Sequence, residues 1–160
     1  MSITIIIISY KSLSKLEKCL STIGDDREIF IIENSDNVQF KEIIENKYKN
    51  CKIIINNKNL GYGSAANIAF KEINTQYAIL LNTDTRINKN QILNIENEII
   101  DCKGDFALAS PIYDDLIDFN KNKNFDKNFK VNQLDPNTKD NKTKVDLVKG
   151  CALIVNLKKF

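Results

Sequence analysis

"ITIIIIS", Ile3 to Ser9, is the stretch on which the fold turns. A strand with one wet face alternates apolar and polar residues. A near-continuous Ile run belongs instead to a strand covered on both faces, as in a parallel sheet with helices above and below. The segments C-terminal to this run agree with a covered strand. Leu13, Leu16, Leu20 and Ile23 recur at helical spacing, with Ser14 and Glu17 placed as a capping box. Glu28 to Glu33 reads as a second strand, Val38 to Tyr48 as a helix and Cys51 to Ile55 as a third strand. Ser64 to Ile73 carries Ala65, Ala66, Ala69, Phe70 and Ile73 on one helical face. Tyr77 to Leu81 is the fourth strand. Ile92, Ile95, Ile99 and Ile100 mark a fourth helix, and Phe106 to Ala109 a short fifth strand.

Alternating strands and helices with unbroken apolar strands predict an α/β domain: a mostly parallel, Rossmann-like sheet with helices on both faces. The competing reading is a mixed α+β domain. The 160 residues suit one domain, spanning 1–160. Residues 120–144 depart from the pattern. They are rich in Asn, Lys and Asp, carry an Asp135-Pro136-Asn137 turn signal, and read as a polar loop excursion. Apolar order resumes over Val145 to Val155.

Composition removes several classes. The net charge is +2 and the Lys residues are dispersed, so there is no clustered basic face for nucleic acid. There is no His, and the four cysteines form no C-x-x-C pair. Both the usual zinc spacing and Ser-His-Asp or Cys-His catalysis are therefore missing. Scattered cysteines on apolar stretches read as reduced, buried thiols. The N-terminus lacks a basic n-region and a cleavage site, and no apolar run approaches the roughly 20 residues that span a bilayer. The expectation is a cytoplasmic chain. Association with the inner face of a membrane stays open.

In an open parallel sheet, ligands bind beyond the carboxyl ends of the strands. There the sequence places Ser9-Tyr10-Lys11-Ser12, then Glu33-Asn34-Ser35, then Asn59-Leu60-Gly61-Tyr62-Gly63 with Ala65 and Asn67, then Leu81-Asn82-Thr83-Asp84-Thr85. Singly, each has a plain structural reading: a helix start, a turn, a tight strand-to-helix connection, a loop ahead of the next helix. The Gly61-x-Gly63 pair meets neither nucleotide fingerprint.

Taken in order, these motifs resemble family-2 glycosyltransferases, nearest to the rhamnosyltransferase-like branch. That branch carries T-Y-N-S, D-N-x-S, N-x-G-x-x-x-x-x-N and L-N-P-D-T. Val148 to Ile154 resembles its later strand facing the acceptor. The resemblance covers nearly the whole chain. No one motif is specific, but five in sequence are.

The resemblance implies a GT-A fold and transfer of a sugar from a nucleoside-diphosphate donor to a glycan or lipid-linked acceptor, in the making of cell-surface polysaccharide. It implies that Ser9, Tyr10 and Lys11 pack against base and ribose, and that Glu33 reads the base edge. Asn59, Gly61 and Asn67 would line the donor site. Asn82-Thr83-Asp84 would occupy the D-x-D position, with Asp84 binding Mg²⁺ or Mn²⁺, and Lys149 and Gly150 would face the acceptor. Departures are Glu33 for Asp, Asn82 for the first Asp of D-x-D (a feature the L-N-P-D-T branch shares), Thr83 for Pro, and Lys11 where Asn is common.

Inverting members also carry a later acidic E-D-x-D motif that supplies the general base. None comes after Leu153, and Asp114-Asp115 precedes the acceptor strand. The expectation is therefore a chain incomplete on its acceptor side. It would be a fragment, a split gene product needing a partner segment, or a degenerate paralogue that binds donor better than it transfers sugar. Two other classes compete. One is a non-catalytic nucleotide-sugar-binding module. The other is a nucleotidyltransferase, disfavoured because "SYKSLSK" has no Gly for a phosphate loop.

Overall fold

The computed structural model describes residues 3–104, 106–111 and 150–159. The polar stretch 120–144, Asp114-Asp115 and Lys149 lie outside the described residues.

Among the described residues there are six strands and four α-helices, alternating as far as the fifth strand. They are β1 Ile3–Ser9, α1 Leu13–Ile23, β2 Ile29–Glu33, α2 Val38–Lys47, β3 Cys51–Ile55, α3 Tyr62–Glu72, β4 Tyr77–Asn82, α4 Lys89–Asp101, β5 Leu108–Ala109 and β6 Ala152–Asn156. The sheet order is β3-β2-β1-β4-β6-β5. The first four strands pair in parallel, while β6 runs antiparallel to both β4 and β5. The expected mostly parallel α/β sheet is thus observed.

Strand side chains alternate between two cores, as a period of two requires. Ile5, Ile7, Ile29, Ile31, Ile79 and Leu81 point to one face, where α1, α2 and α4 supply Leu16, Leu20, Phe40, Ile44, Ile92 and Ile99. Ile6, Ile8, Phe30, Ile32, Ala78 and Leu80 point to the other, where α3 supplies Ala65, Ala66 and Ala69. The chirality of crossovers accounts for α1, α2 and α3, though not for α4. The path β1-β2-β3 runs one way along the sheet and β3-β4 runs back. A right-handed connection then places α3 on the opposite face.

Several local expectations need correction. The Ser14–Glu17 capping box does not form, because α1 starts at Leu13 and Ser12 is its N-cap, with no side-chain cap bond. The capping box instead belongs to α4, between Asn88 and Gln91. Helix α3 begins at Tyr62 rather than Ser64, behind Gly61 at φ +79°. Strand β5 is Leu108–Ala109 alone. Ile100 is exposed, because the apolar stripe of α4 buries Ile92 and Ile99 and leaves Ile100 one residue past the contact face.

Candidate donor-binding site at the carboxyl edge of the sheet

Strand order reverses between β1 and β4, the neighbours that lead to opposite halves of the sheet. Such a switch point opens a crevice beyond the carboxyl ends. The register puts Ser9 beside Glu33 and Ile8 beside Asn82. The antiparallel β6 brings its start to this same edge, with Ala152 opposite Leu81. Asn56, Glu33, Ser9, Asn82 and Cys151 therefore succeed one another along the rim. Glu33 and Asn82 end strands two places apart, so about 10 Å of sheet edge separates them.

Glu33 is fully buried. Its Oε1 accepts the Lys11 backbone N–H at 3.1 Å and the Ser35 hydroxyl at 2.5 Å. Its Oε2 is buried without a hydrogen-bond partner. A buried carboxylate oxygen left unpaired is costly and marks a place where a donor belongs. Lys11 donates from a left-handed conformation, φ +51°. That geometry costs a non-glycine residue roughly 1–2 kcal/mol, and such strain concentrates at functional sites.

Asn34 ties the rim together. Its Oδ1 accepts Asn56 Nδ2 and the Leu60 N–H, both at 3.0 Å. Its Nδ2 donates to Asn59 Oδ1 at 2.8 Å and to the Gly61 carbonyl at 3.3 Å. Asn59 Oδ1 also accepts the Gly61 N–H at 2.9 Å. One amide thus fixes the turn that enters α3.

The Asn82-Thr83-Asp84 turn hangs on the other side of the switch point. The Asn82 N–H donates to the Cys151 carbonyl at 3.2 Å. The Thr85 N–H closes the turn onto the Asn82 carbonyl at 3.1 Å. Asp84 is exposed, and Arg86 folds back to donate to the Thr85 carbonyl at 2.9 Å. Beneath lies Cys19, whose thiol burial pushes up to about 11, with Arg86 opposing and Asp84 adding to the rise.

The structure brings Ser9, Tyr10, Lys11, Glu33, Asn59, Gly61, Asn82, Thr83, Asp84 and Gly150 to this one edge. Ser9 is buried and shares a hydrogen bond with Ser12, Oγ to Oγ at 3.1 Å. Tyr10 is half exposed, with Lys11 Nζ 5.4 Å from its ring centre. Asn67 is exposed within α3. Among the motif residues that sequence reasoning did not single out for the site, Asn34, Ser35 and Thr85 prove to hold the rim together. Their signal was position alone, just past a strand end.

Among the described residues, no group of three or more His, Cys, Asp or Glu could hold a metal by itself. A cation at Asp84 would need oxygen ligands from a bound diphosphate and water. Hard divalent cations accept such a shell, so the donor set is compatible.

The Glycosyl transferase family 2 model matches residues 4–156. No curated protein matches the chain. Among solved structures, the mannosyltransferase PcManGT from Pyrobaculum calidifontis, in complex with GDP-Man and Mn²⁺, is similar. It aligns at a TM-score of 0.60 and 13% identity over 69% of this chain and 35% of that one. S. aureus TarS 1-349 in complex with UDP-GlcNAc aligns at 0.51 and 22% identity, over 63% of this chain and 32% of that one. At these identities the likeness shows the fold. The chain spans about a third of the length of these structures.

Proposed function

The chain belongs to glycosyl transferase family 2, and from that premise we propose that it holds a nucleoside-diphosphate sugar along the β2-β1-β4 edge for transfer to a glycan or lipid-linked acceptor. The reading is of an inverting, metal-dependent enzyme. The observation that carries it is the orphaned Oε2 of buried Glu33, set about 10 Å along the same edge from the turn bearing Asp84. An extended nucleotide separates its base edge from its diphosphate by a distance of this order.

An ionised carboxylate only accepts hydrogen bonds. The unpaired oxygen of Glu33 therefore takes an N–H donor of the base, the ring N–H of uracil, thymine or guanine among them. The neighbours' complexes with UDP-GlcNAc and GDP-Man support that class. Tyr10 and Lys11 would cover the nucleoside, and Asn59, Gly61 and Asn67 the donor's flank. Asn82 and Thr83 would shape the turn that presents Asp84. A divalent cation bound there supplies charge neutralisation to the leaving diphosphate. Gly150 stands at the acceptor side of that turn, with Lys149 next to it in sequence.

A second reading has its own support. The described carboxyl edge carries Glu33, Asp36 and Asp84, and none of these lies beyond β4's neighbour β6 on the acceptor side. Among the described residues at this edge, the one carboxylate near Gly150 is then Asp84, which this reading already gives to the cation. The unit would then bind donor while the base comes from elsewhere. No described helix is long and apolar enough to cross a membrane. Work at the cytoplasmic face, in contact with a lipid-linked acceptor, is part of the proposal.

Calorimetry with UDP, GDP, CDP and ADP tests the base-reading role. UDP or GDP should bind more tightly than CDP and ADP. Glu33→Gln should weaken that binding about tenfold or more, the worth of a charge-assisted hydrogen bond. Equal affinity for all four nucleotides, or an unchanged Glu33→Gln variant, would defeat the assignment.

A further inference from the structure

The Cys151 carbonyl receives two hydrogen bonds from the same turn. The Asn82 N–H reaches it at 3.2 Å, and the Thr85 hydroxyl reaches it at 2.8 Å across 66 residues of chain. The Thr85 N–H also closes the turn on Asn82 at 3.1 Å. Thr85 therefore makes two contacts, one within the Asp84 turn and one to the segment that carries Gly150. Asp84 is exposed and one residue from Thr85, and among the described residues this turn is what holds it.

We propose that Thr85 is a positioning residue: its hydroxyl, beside the Asn82 N–H, clamps the Asp84 turn to the Gly150–Cys151 segment, so that metal-diphosphate binding and the acceptor side of the cleft are linked through that side chain. The proposal rests on the reading of Asp84 as the metal ligand. The physical reason is entropic. A cation shared between one carboxylate and a diphosphate is held well only if the carboxylate is already in place, and catalytic constellations tolerate misplacement poorly. The clamp also gives a route by which displacement of Gly150 reaches Asp84, through the shorter of the two hydrogen bonds on the Cys151 carbonyl.

Three proteins are compared: the full chain, Thr85→Val, which keeps the shape and loses the hydroxyl, and Thr85→Ser, which keeps it. UDP is titrated with Mn²⁺ and with EDTA, and uridine is titrated alone. Thr85→Val should lower the Mn²⁺-dependent gain in UDP affinity about three- to tenfold, the usual worth of one hydrogen bond. Uridine affinity should stay unchanged, and Thr85→Ser should restore the gain. Equal gains in all three proteins, or an equal loss for uridine, would overturn the proposal.

Amide exchange without ligand gives an independent reading. Thr85→Val should exchange the Asn82 N–H faster than the full chain and Thr85→Ser do. Unchanged protection overturns the clamp. A full chain whose UDP affinity ignores Mn²⁺ overturns the Asp84 reading instead, and the exchange result then decides the clamp by itself.

Discussion

Replacing Asn34 with Ala should loosen the donor edge while leaving the sheet intact. Asn34 is 3% exposed and commits all its hydrogen-bonding capacity to the rim. Of its four partners, Asn56 Nδ2 sits in a fully buried bond. Leaving such a donor unpaired costs about 1–3 kcal/mol. The Leu60 N–H, Asn59 Oδ1 and Gly61 carbonyl lie on half-buried or exposed chain and can turn to water. Each of these contributes about 0.5 kcal/mol net, at the low end for intramolecular hydrogen bonds. The expected loss is therefore about 2.5–4.5 kcal/mol, a large part of a small domain's stability. Urea unfolding should show a lower midpoint at unchanged slope. Amide exchange should speed up at Leu60 and Gly61 and not in β1 or β4. A loss under about 0.5 kcal/mol, the range of inert surface changes, with Leu60 still protected, would refute the reasoning.

Two further outcomes concern stability and thiol chemistry. Arg27 meets Glu96 through two bonds of 2.6 and 2.9 Å, locking the start of β2 to α4. Arg27→Ala should cost about 3 kcal/mol in urea unfolding by stranding Glu96, while the double change to Met and Leu should recover most of it. A single-variant loss below about 1 kcal/mol would sink that account. Burial pushes the Cys19 thiol to about 11 and Cys51 to about 12. Because the thiolate is the reactive form, labelling of the native protein at pH 8 should reach Cys102 and Cys151 first. All four should label together only in denaturant. Both folded values lie above the ordinary 9.0, so this stabilisation is complete below about pH 9. It is lost as pH rises toward 11. Uniform labelling of the native chain, or stability that does not fall between pH 8 and 10.5, would contradict it.

The fold was legible where burial is two-sided or periodic. The Ile run of β1 announced a covered strand, and the spacing of Leu16, Leu20 and Ile23 announced α1. The direction of β6 was not legible, because nothing within Ala152–Asn156 specifies which way it pairs with β4. Helix starts were missed for a local reason. Ser14 and Glu17 satisfy a capping pattern, yet the chain enters α1 two residues earlier, after the left-handed turn at Lys11. Gly61 did the same for α3 by taking a positive φ that Ser64 could not signal.

At the site, sequence order named the residues at strand ends and could not rank them. Asn34 reads as a turn residue, yet the fold brings Asn56, Asn59, Leu60 and Gly61 around its amide. Thr85 reads as a turn residue too, until the turn before β6 supplies the Cys151 carbonyl from 66 positions away. Contacts of that range come from topology, which local pattern does not encode.

The central claim is that Asp84 holds a cation shared with the donor's diphosphate at the β1–β4 switch point. Calorimetric titration of UDP into the full chain and Asp84→Ala, with Mn²⁺ and with EDTA, tests it most directly. The account predicts that Mn²⁺ strengthens binding to the full chain, and that Asp84→Ala binds with the weaker, metal-independent affinity under both conditions. Mn²⁺-enhanced binding that survives in Asp84→Ala would contradict it.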